Sequence, residues 1–257
     1  MRRLLIALGL LALAASAFAG EIALSARRSG YDLMGRELRA MQDDDTASPG
    51  MRWVLEGGTL WEKKTGAAGR ACADCHGDPR ASMKGVAARY PAFDAAIGRP
   101  ISLEQRINRC RIDRQQASAL AYESRELLAL TAFVARQSRG LPIDVTIDAR
   151  THPFLDAGRA TFHRRQGQLN LACAQCHDDN WGRQLAGNVI PQAHPTGYPL
   201  YRLEWQSLGS LQRRLRNCLV GIRAEPYDYG ASEMVDLELY LMWRARGMTM
   251  DAPAVRP

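Results

Sequence analysis

Two copies of a C-x-x-C-H motif constrain this chain more than any other feature of its sequence. Cys72, Cys75 and His76 form the first copy, and Cys173, Cys176 and His177 form the second. Thiols three residues apart on one turn can each form a thioether to one vinyl group of a haem. The adjacent histidine is then held against the iron as its proximal ligand. A zinc site would pair its C-x-x-C units about 15–20 residues apart, whereas these lie 101 apart. A redox dithiol of the thioredoxin kind belongs beside a βαβ pattern, and none is visible. The motifs therefore predict two covalently bound haem c groups. An aromatic content of 7% is low for a chain of 257 residues, and two porphyrins would supply much of the missing apolar core.

The motif sits inside a longer duplication. Gly57 and Gly158 each precede the first motif cysteine by 15 residues, and Trp61 and Phe162 precede it by 11. Downstream, Ser102 to Cys110 matches Ser210 to Cys218 at an offset of 108, with Ser, Leu, Arg and Cys agreeing in place. At the same offset, Ser124 to Arg136 aligns with Ser232 to Arg244. Each half reads as a helix, the motif, a loop, a helix carrying one cysteine, a loop and a terminal helix. No run of alternating strands competes. The expected fold is mainly α: two tandem cytochrome c-type domains related by internal duplication, in residues 51–145 and 146–257. The seam lies between Gly140 and Pro153, where Gly and Pro interrupt helical periodicity. Residues 20–50, with Asp43, Asp44, Asp45 and the turn Ser48-Pro49-Gly50, read as an N-terminal arm that wraps one half or a partner.

Residues 1–19 read as a secretory signal peptide. Arg2 and Arg3 precede the apolar stretch Leu4 to Phe18, and Ala17 and Ala19 satisfy the small-x-small cleavage rule. The stretch is too short for a spanning helix. A periplasmic mature protein with no membrane insertion follows. The formal charge of +7 is almost all arginine, with only three lysines, and is spread along the chain without a long run of one sign. A basic nucleic-acid tail is therefore not indicated.

The distal side of each iron needs an account. Met83 follows His76 by only seven residues, and the next methionine is Met234, in the second half. Cys110 follows His76 by 34 residues and Cys218 follows His177 by 41, at matching repeat positions. Each is read as the distal axial ligand of its own haem, bound as thiolate. The alternatives are a Cys110–Cys218 disulfide, which needs Cα atoms within about 7 Å, and inert buried thiols. His152, His163 and His194 are read as structural or surface residues. Cys218 follows Arg213, Arg214 and Arg216, and Arg214 lies four residues before it, on the same helix face. A guanidinium there can bind an oxyanion and hold a thiolate ionised.

With these features the chain resembles SoxA, the di-haem subunit of the SoxAX cytochromes of sulfur-oxidising bacteria. The resemblance covers nearly the whole mature chain, and its most specific segment is Arg213 to Cys218. It implies L-cysteine S-thiosulfotransferase activity: thiosulfate is joined oxidatively to a cysteine of the SoxYZ carrier, and two electrons pass to a mono-haem SoxX cytochrome. By the same resemblance Cys218 is the catalytic residue and carries a persulfide, Arg214 binds substrate, and Arg244 is the second substrate-binding arginine. Cys72, Cys75, His76 and Cys110 fall on the first haem, and Cys173, Cys176, His177 and Cys218 on the second. The competing readings are a di-haem electron carrier without substrate chemistry, a di-haem peroxidase and a haem-bearing scaffold subunit. Paired distal cysteines beside arginine weigh against them.

Overall fold

The computed structural model describes residues 22–257, so the leader assigned to residues 1–19 lies outside the described residues. An arm carrying helix α1 (Arg36–Asp43) comes first. The first half runs α2 (Met51–Glu62), α3 (Ala73–His76), α4 (Pro79–Ser82), β1 (Ala92–Asp94), β2 (Arg99–Ile101), α5 (Leu103–Cys110) and α6 (Arg125–Arg136). The second runs α7 (His152–His163), α8 (Cys173–His177), β3 (Gln184–Leu185), β4 (Asn188–Val189), β5 (Leu200–Arg202), β6 (Ser207–Gly209), α9 (Leu211–Gly221) and α10 (Ser232–Arg244), and ends in β7 (Ala254–Arg256). The fold is mainly α and duplicated, as the repeat requires. The strands that the sequence did not announce are short: β1 and β2, and β5 and β6, pair as antiparallel hairpins, and β7 adds to β5 in parallel.

The repeated glycines mark where the first and last helices of each half cross, α2 on α6 and α7 on α10. A Cβ on Gly57 would lie 2.2 Å from the Ala129 carbonyl oxygen, and one on Gly158 would lie 2.0 Å from that of Asp236. Only a residue without a Cβ lets the two backbones come this close. One turn further on, Trp61 and Phe162 are buried, and each ring stands against its own motif histidine, 5.6 Å from His76 and 6.5 Å from His177 between centroids. The same four-residue step thus sets the helix crossing and the wall behind each histidine.

The repeat offset is not constant along the chain, and each change has a structural cause. The motifs stand 101 apart, whereas the hairpins β1–β2 and β5–β6 and the helices α5 and α9 stand 108 apart. The extra seven residues fall between the motif and the hairpin of the second half, where β3 and β4 form an antiparallel hairpin. Beyond Cys110 the offset falls to 107. A single π-helical turn, Arg111–Gln115, absorbs one extra residue in the first half. After it, Gln116 and Arg223 take the same left-handed conformation, with φ of 53° and 57°, and their carbonyls accept from Ala67 N and Gln168 N. The alignment of Ser124 with Ser232 is therefore corrected by one residue: the N-cap Ser124 of α6 corresponds to the N-cap Ala231 of α10.

The halves share their interior. Trp61, Val134 and Ile143 belong to the same apolar cluster as Phe162, Leu239 and Tyr240. The arm crosses to the second half. Arg28 N donates to Gln192 Oε1 at 2.6 Å, and Gln42 Oε1 accepts from Val255 N at 3.0 Å and Arg256 Nη1 at 2.6 Å. Gln42, only 1% exposed, thereby fastens α1 to the last strand. Among the described residues, no helix is long and apolar enough to cross a membrane.

Candidate active site

The second motif folds as α8 because Gln175 closes its first turn, its Oε1 accepting from Ala172 N at 2.9 Å. This turn presents Cys173, Cys176 and His177 together. His177 Nδ1 lies 2.7 Å from the Pro191 carbonyl oxygen. That bond fixes the ring and turns Nε2 toward the Cys218 thiol, an orientation proper to an iron-binding histidine. Facing α8 is α9, started by Ser210, whose hydroxyl accepts from Arg213 N at 3.1 Å. At helical spacing Leu211, Arg214, Leu215 and Cys218 share one face, and all four line a single cavity with His177.

The arginines around Cys218 separate by direction. Arg213 lies over the Trp205 ring at 4.4 Å. Arg216 lies over Tyr229 at 4.6 Å and donates to the Tyr227 carbonyl. Only Arg214 of the three lines the cavity. A second guanidinium joins it from another element. Arg202, at the end of β5, is 8% exposed, and its Nε has no hydrogen-bond partner. Its one ionic partner is the exposed Glu204 carboxylate, at 3.2 Å.

These charges act on the thiol. Burial raises the Cys218 pKa, but the His177 hydrogen bond and the charges of Arg214, His177 and Arg202 more than offset it, and the net shift is downward. Burial and the neighbouring Arg214 lower the pKa of Arg202, the sign of two cations held close together. Cys173, buried and facing Cys218, is pushed up to about 12. At the other motif, Cys72 and Cys75 both face Cys110. There burial raises the Cys110 thiol, and the net shift is upward. No disulfide joins any two of the six cysteines, so the Cys110–Cys218 bridge is not found.

The donor sets fit c-type haem. Each motif brings two thiols and a histidine to one place, each faces a single further cysteine, and the second borders a largely apolar cavity open to α9, the arm and the β3–β4 hairpin. His194 borders this cavity, but its Nδ1 is engaged with the Arg28 carbonyl at 3.0 Å, and burial brings its pKa down to about 4. His152 pairs with Asp156 at 3.1 Å on the surface, and His163 packs edge-on against Phe162.

Arg244, which the resemblance gives as the second substrate-binding arginine, is held by Asp178. Its guanidinium donates to Asp178 Oδ1 at 2.6 Å and lies over the Phe162 ring at 4.6 Å. It braces the segment that carries His177 and is not among the residues lining the Cys218 cavity. The second cation there is Arg202, which sequence reading missed because it lies 16 residues before Cys218 on a three-residue strand.

Two halves of this build, each with a helix crossing at glycine, a C-x-x-C-H turn and a facing cysteine, define a duplicated c-type cytochrome. The family model of the SoxA/TsdA cytochrome c domain matches twice, over residues 56–143 and 157–250, and the chain belongs to this family. The L-cysteine S-thiosulfotransferase subunit SoxA of Pseudaminobacter salicylatoxidans is 36% identical over 89% of this chain and 80% of that protein. The subunit of the same name from Rhodovulum sulfidophilum is 35% identical with the same coverage. The crystal structure of SoxXA from P. pantotrophus superposes with a TM-score of 0.86 at 30% identity, covering 90% of this chain and 87% of that one.

Proposed function

We propose that this chain is the catalytic subunit of an L-cysteine S-thiosulfotransferase, and that Cys218, Arg214 and Arg202 are its working residues. The observation that carries this reading is the convergence of three guanidiniums, Arg214 of α9, Arg202 of β5 and the Asp251-paired Arg256 of β7, on the cavity that holds the Cys218 thiol. Thiosulfate is a dianion, and a thiolate repels it. Two fixed cations in a partly dehydrated cavity offset that repulsion and orient the anion.

Cys72, Cys75, His76 and Cys110 would hold one covalent haem c, and Cys173, Cys176, His177 and Cys218 the other. The second haem would supply one-electron redox chemistry beside the Cys218 sulfur, and a SoxX-type mono-haem cytochrome would be the oxidant that accepts the two electrons. The chain's own work is at the sulfur. Arg214 and Arg202 seat thiosulfate against Cys218, one sulfur–sulfur bond forms, and two electrons are given up. A cysteine thiolate of a SoxYZ-type carrier then attacks the outer sulfur and takes the thiosulfate unit, and the Cys218 thiolate is the leaving group. The leader peptide supports export to the periplasm.

The test supplies thiosulfate, a carrier with one accessible cysteine and an oxidised cytochrome acceptor. The expected result is one thiosulfate unit gained by the carrier per two acceptor molecules reduced. Cys218→Ala with both haems retained is expected to abolish the conjugate. Arg214→Ala is expected to raise the thiosulfate requirement about 100-fold. Full conjugation by Cys218→Ala would end this reading.

A further inference from the structure

The duplication that gives the site its partner also supplies an internal control, because the first half carries the same thiol with a different charge beside it. At the constant offset of 108, Tyr90 matches Tyr198, Arg106 matches Arg214 and Cys110 matches Cys218. The guanidinium four residues before the thiol and the tyrosine at the Tyr–Pro corner are thus present in both halves. One position reverses sign. The last residue of β1 is Asp94, and its counterpart at the end of β5 is Arg202.

The consequence is visible in the ion pairs. Asp94, 5% exposed, takes Arg106 at 2.8 Å and Arg109 at 3.2 Å. The guanidinium corresponding to the substrate-facing Arg214 is therefore already neutralised. In the second half the position equivalent to Arg109 is the neutral Asn217, and the cation across the strand pair from Arg202 is Arg256, itself paired with Asp251 at 2.8 Å. Arg202 is as deeply buried as a charged side chain is usually allowed to be only when paired. Its Nε has no hydrogen-bond partner, its guanidinium lies 5.3 Å from the Trp205 ring centroid, and among the described residues its paired carboxylate is Glu204, 61% exposed at the side chain and well screened. Arg202 and Arg214 line one cavity with Cys218, and a planar guanidinium pair suits a sulfur oxyanion.

We infer that the charge at this one hairpin position selects which of the two duplicated thiol sites accepts a dianion: Arg202 opens the Cys218 site to thiosulfate, and Asp94 closes the Cys110 site by occupying Arg106. The inference rests on the proposed reading of Cys218 as the thiosulfate site and assigns that site a second anion-binding residue. Asp94 acts through Arg106 and is a positioning residue. It also holds its own turn, its Oδ1 accepting from Ala96 N at 2.9 Å. Asp94→Asn keeps that acceptor and removes only the charge.

The experiment is thiosulfate binding to the haem-loaded protein without carrier, followed by calorimetry for stoichiometry and by the visible spectrum for which haem responds. Wild type is expected to bind one thiosulfate. Arg202→Asp reproduces the arrangement of the first half and is expected to weaken binding about 100-fold, while Arg202→Lys holds it within about tenfold, since the charge survives and only the fork is lost. Asp94→Asn is expected to add a second, weaker site, with the perturbation at the first haem, and Asp94→Glu is expected to stay at one. Arg202→Asp binding as wild type does, or Asp94→Asn remaining at one site, would overturn the inference. Wild type binding no thiosulfate would instead overturn the proposed function, so the two failures are distinguishable.

Discussion

Arg244 donates to Asp178 across 2.6 Å and so joins the end of α10 to the residue that follows the motif histidine, His177. The pair is largely buried, with side chains 12% and 17% exposed.

Its loss should therefore register as stability and not as substrate affinity. Removing one partner of a buried pair leaves the other charge stranded, at a cost of about 3 kcal/mol. Arg244→Ala is expected to lower the unfolding free energy by that amount in chemical denaturation, with the KM for thiosulfate unchanged. A raised KM at unchanged stability would return Arg244 to the substrate site.

The helix crossings give a second expectation. Each crossing glycine faces a backbone carbonyl that cannot move without parting the helices. Gly57→Ala and Gly158→Ala should each cost about 3 kcal/mol, at the upper end for overpacking, because the clash is with main chain and not with a flexible side chain. Chemical denaturation with haem content held equal measures this. Retention of wild-type stability by either variant would show that the crossing is not sterically set.

A third expectation concerns pH. Glu238 on α10 is 6% exposed, and burial, together with Glu104 from α5, holds its carboxyl well above the ordinary 4.5. Gln212 is its hydrogen-bonding neighbour. Below 4.5 both folded and unfolded states carry the proton, so this group makes no difference there. As pH rises, the unfolded state ionises first while the folded state keeps its proton, and stability falls until the raised folded value is passed. Glu238→Gln removes this titration. The melting temperature of the variant relative to wild type is expected to rise steadily from pH 5 to pH 8. A gap that narrows over that range would contradict the assignment.

Most of what was legible in the sequence was local. The C-x-x-C-H turns, Gly57 with Trp61 and Gly158 with Phe162, and the Ser102 and Ser210 caps are set by near neighbours, and their spacing survives folding. Three things were not. The one-residue shift in the last helix arises from a π turn, which leaves no mark in composition and shows only when the halves are overlaid. The direction of Arg244 depends on Asp178, 66 residues away and on another element. Arg202 sits on a strand too short to be signalled by periodicity. Its sign reversal against Asp94 was nonetheless present in the repeat and becomes meaningful once the hairpins are seen to be equivalent. The arm was recognised as a wrapping segment, but its destination, the wall of the Cys218 cavity at Gly30 and Met34, is a tertiary fact.

Cys218 and His177 would together hold the iron of one haem, and Cys110 and His76 that of the other. Low-temperature electron paramagnetic resonance of the oxidised protein, compared with Cys218→Ala and Cys110→Ala at equal haem content, reads the distal ligands directly. Two thiolate–histidine low-spin signals are expected in the wild type, one of them lost in each variant. A methionine- or histidine-capped spectrum that neither substitution alters would contradict it.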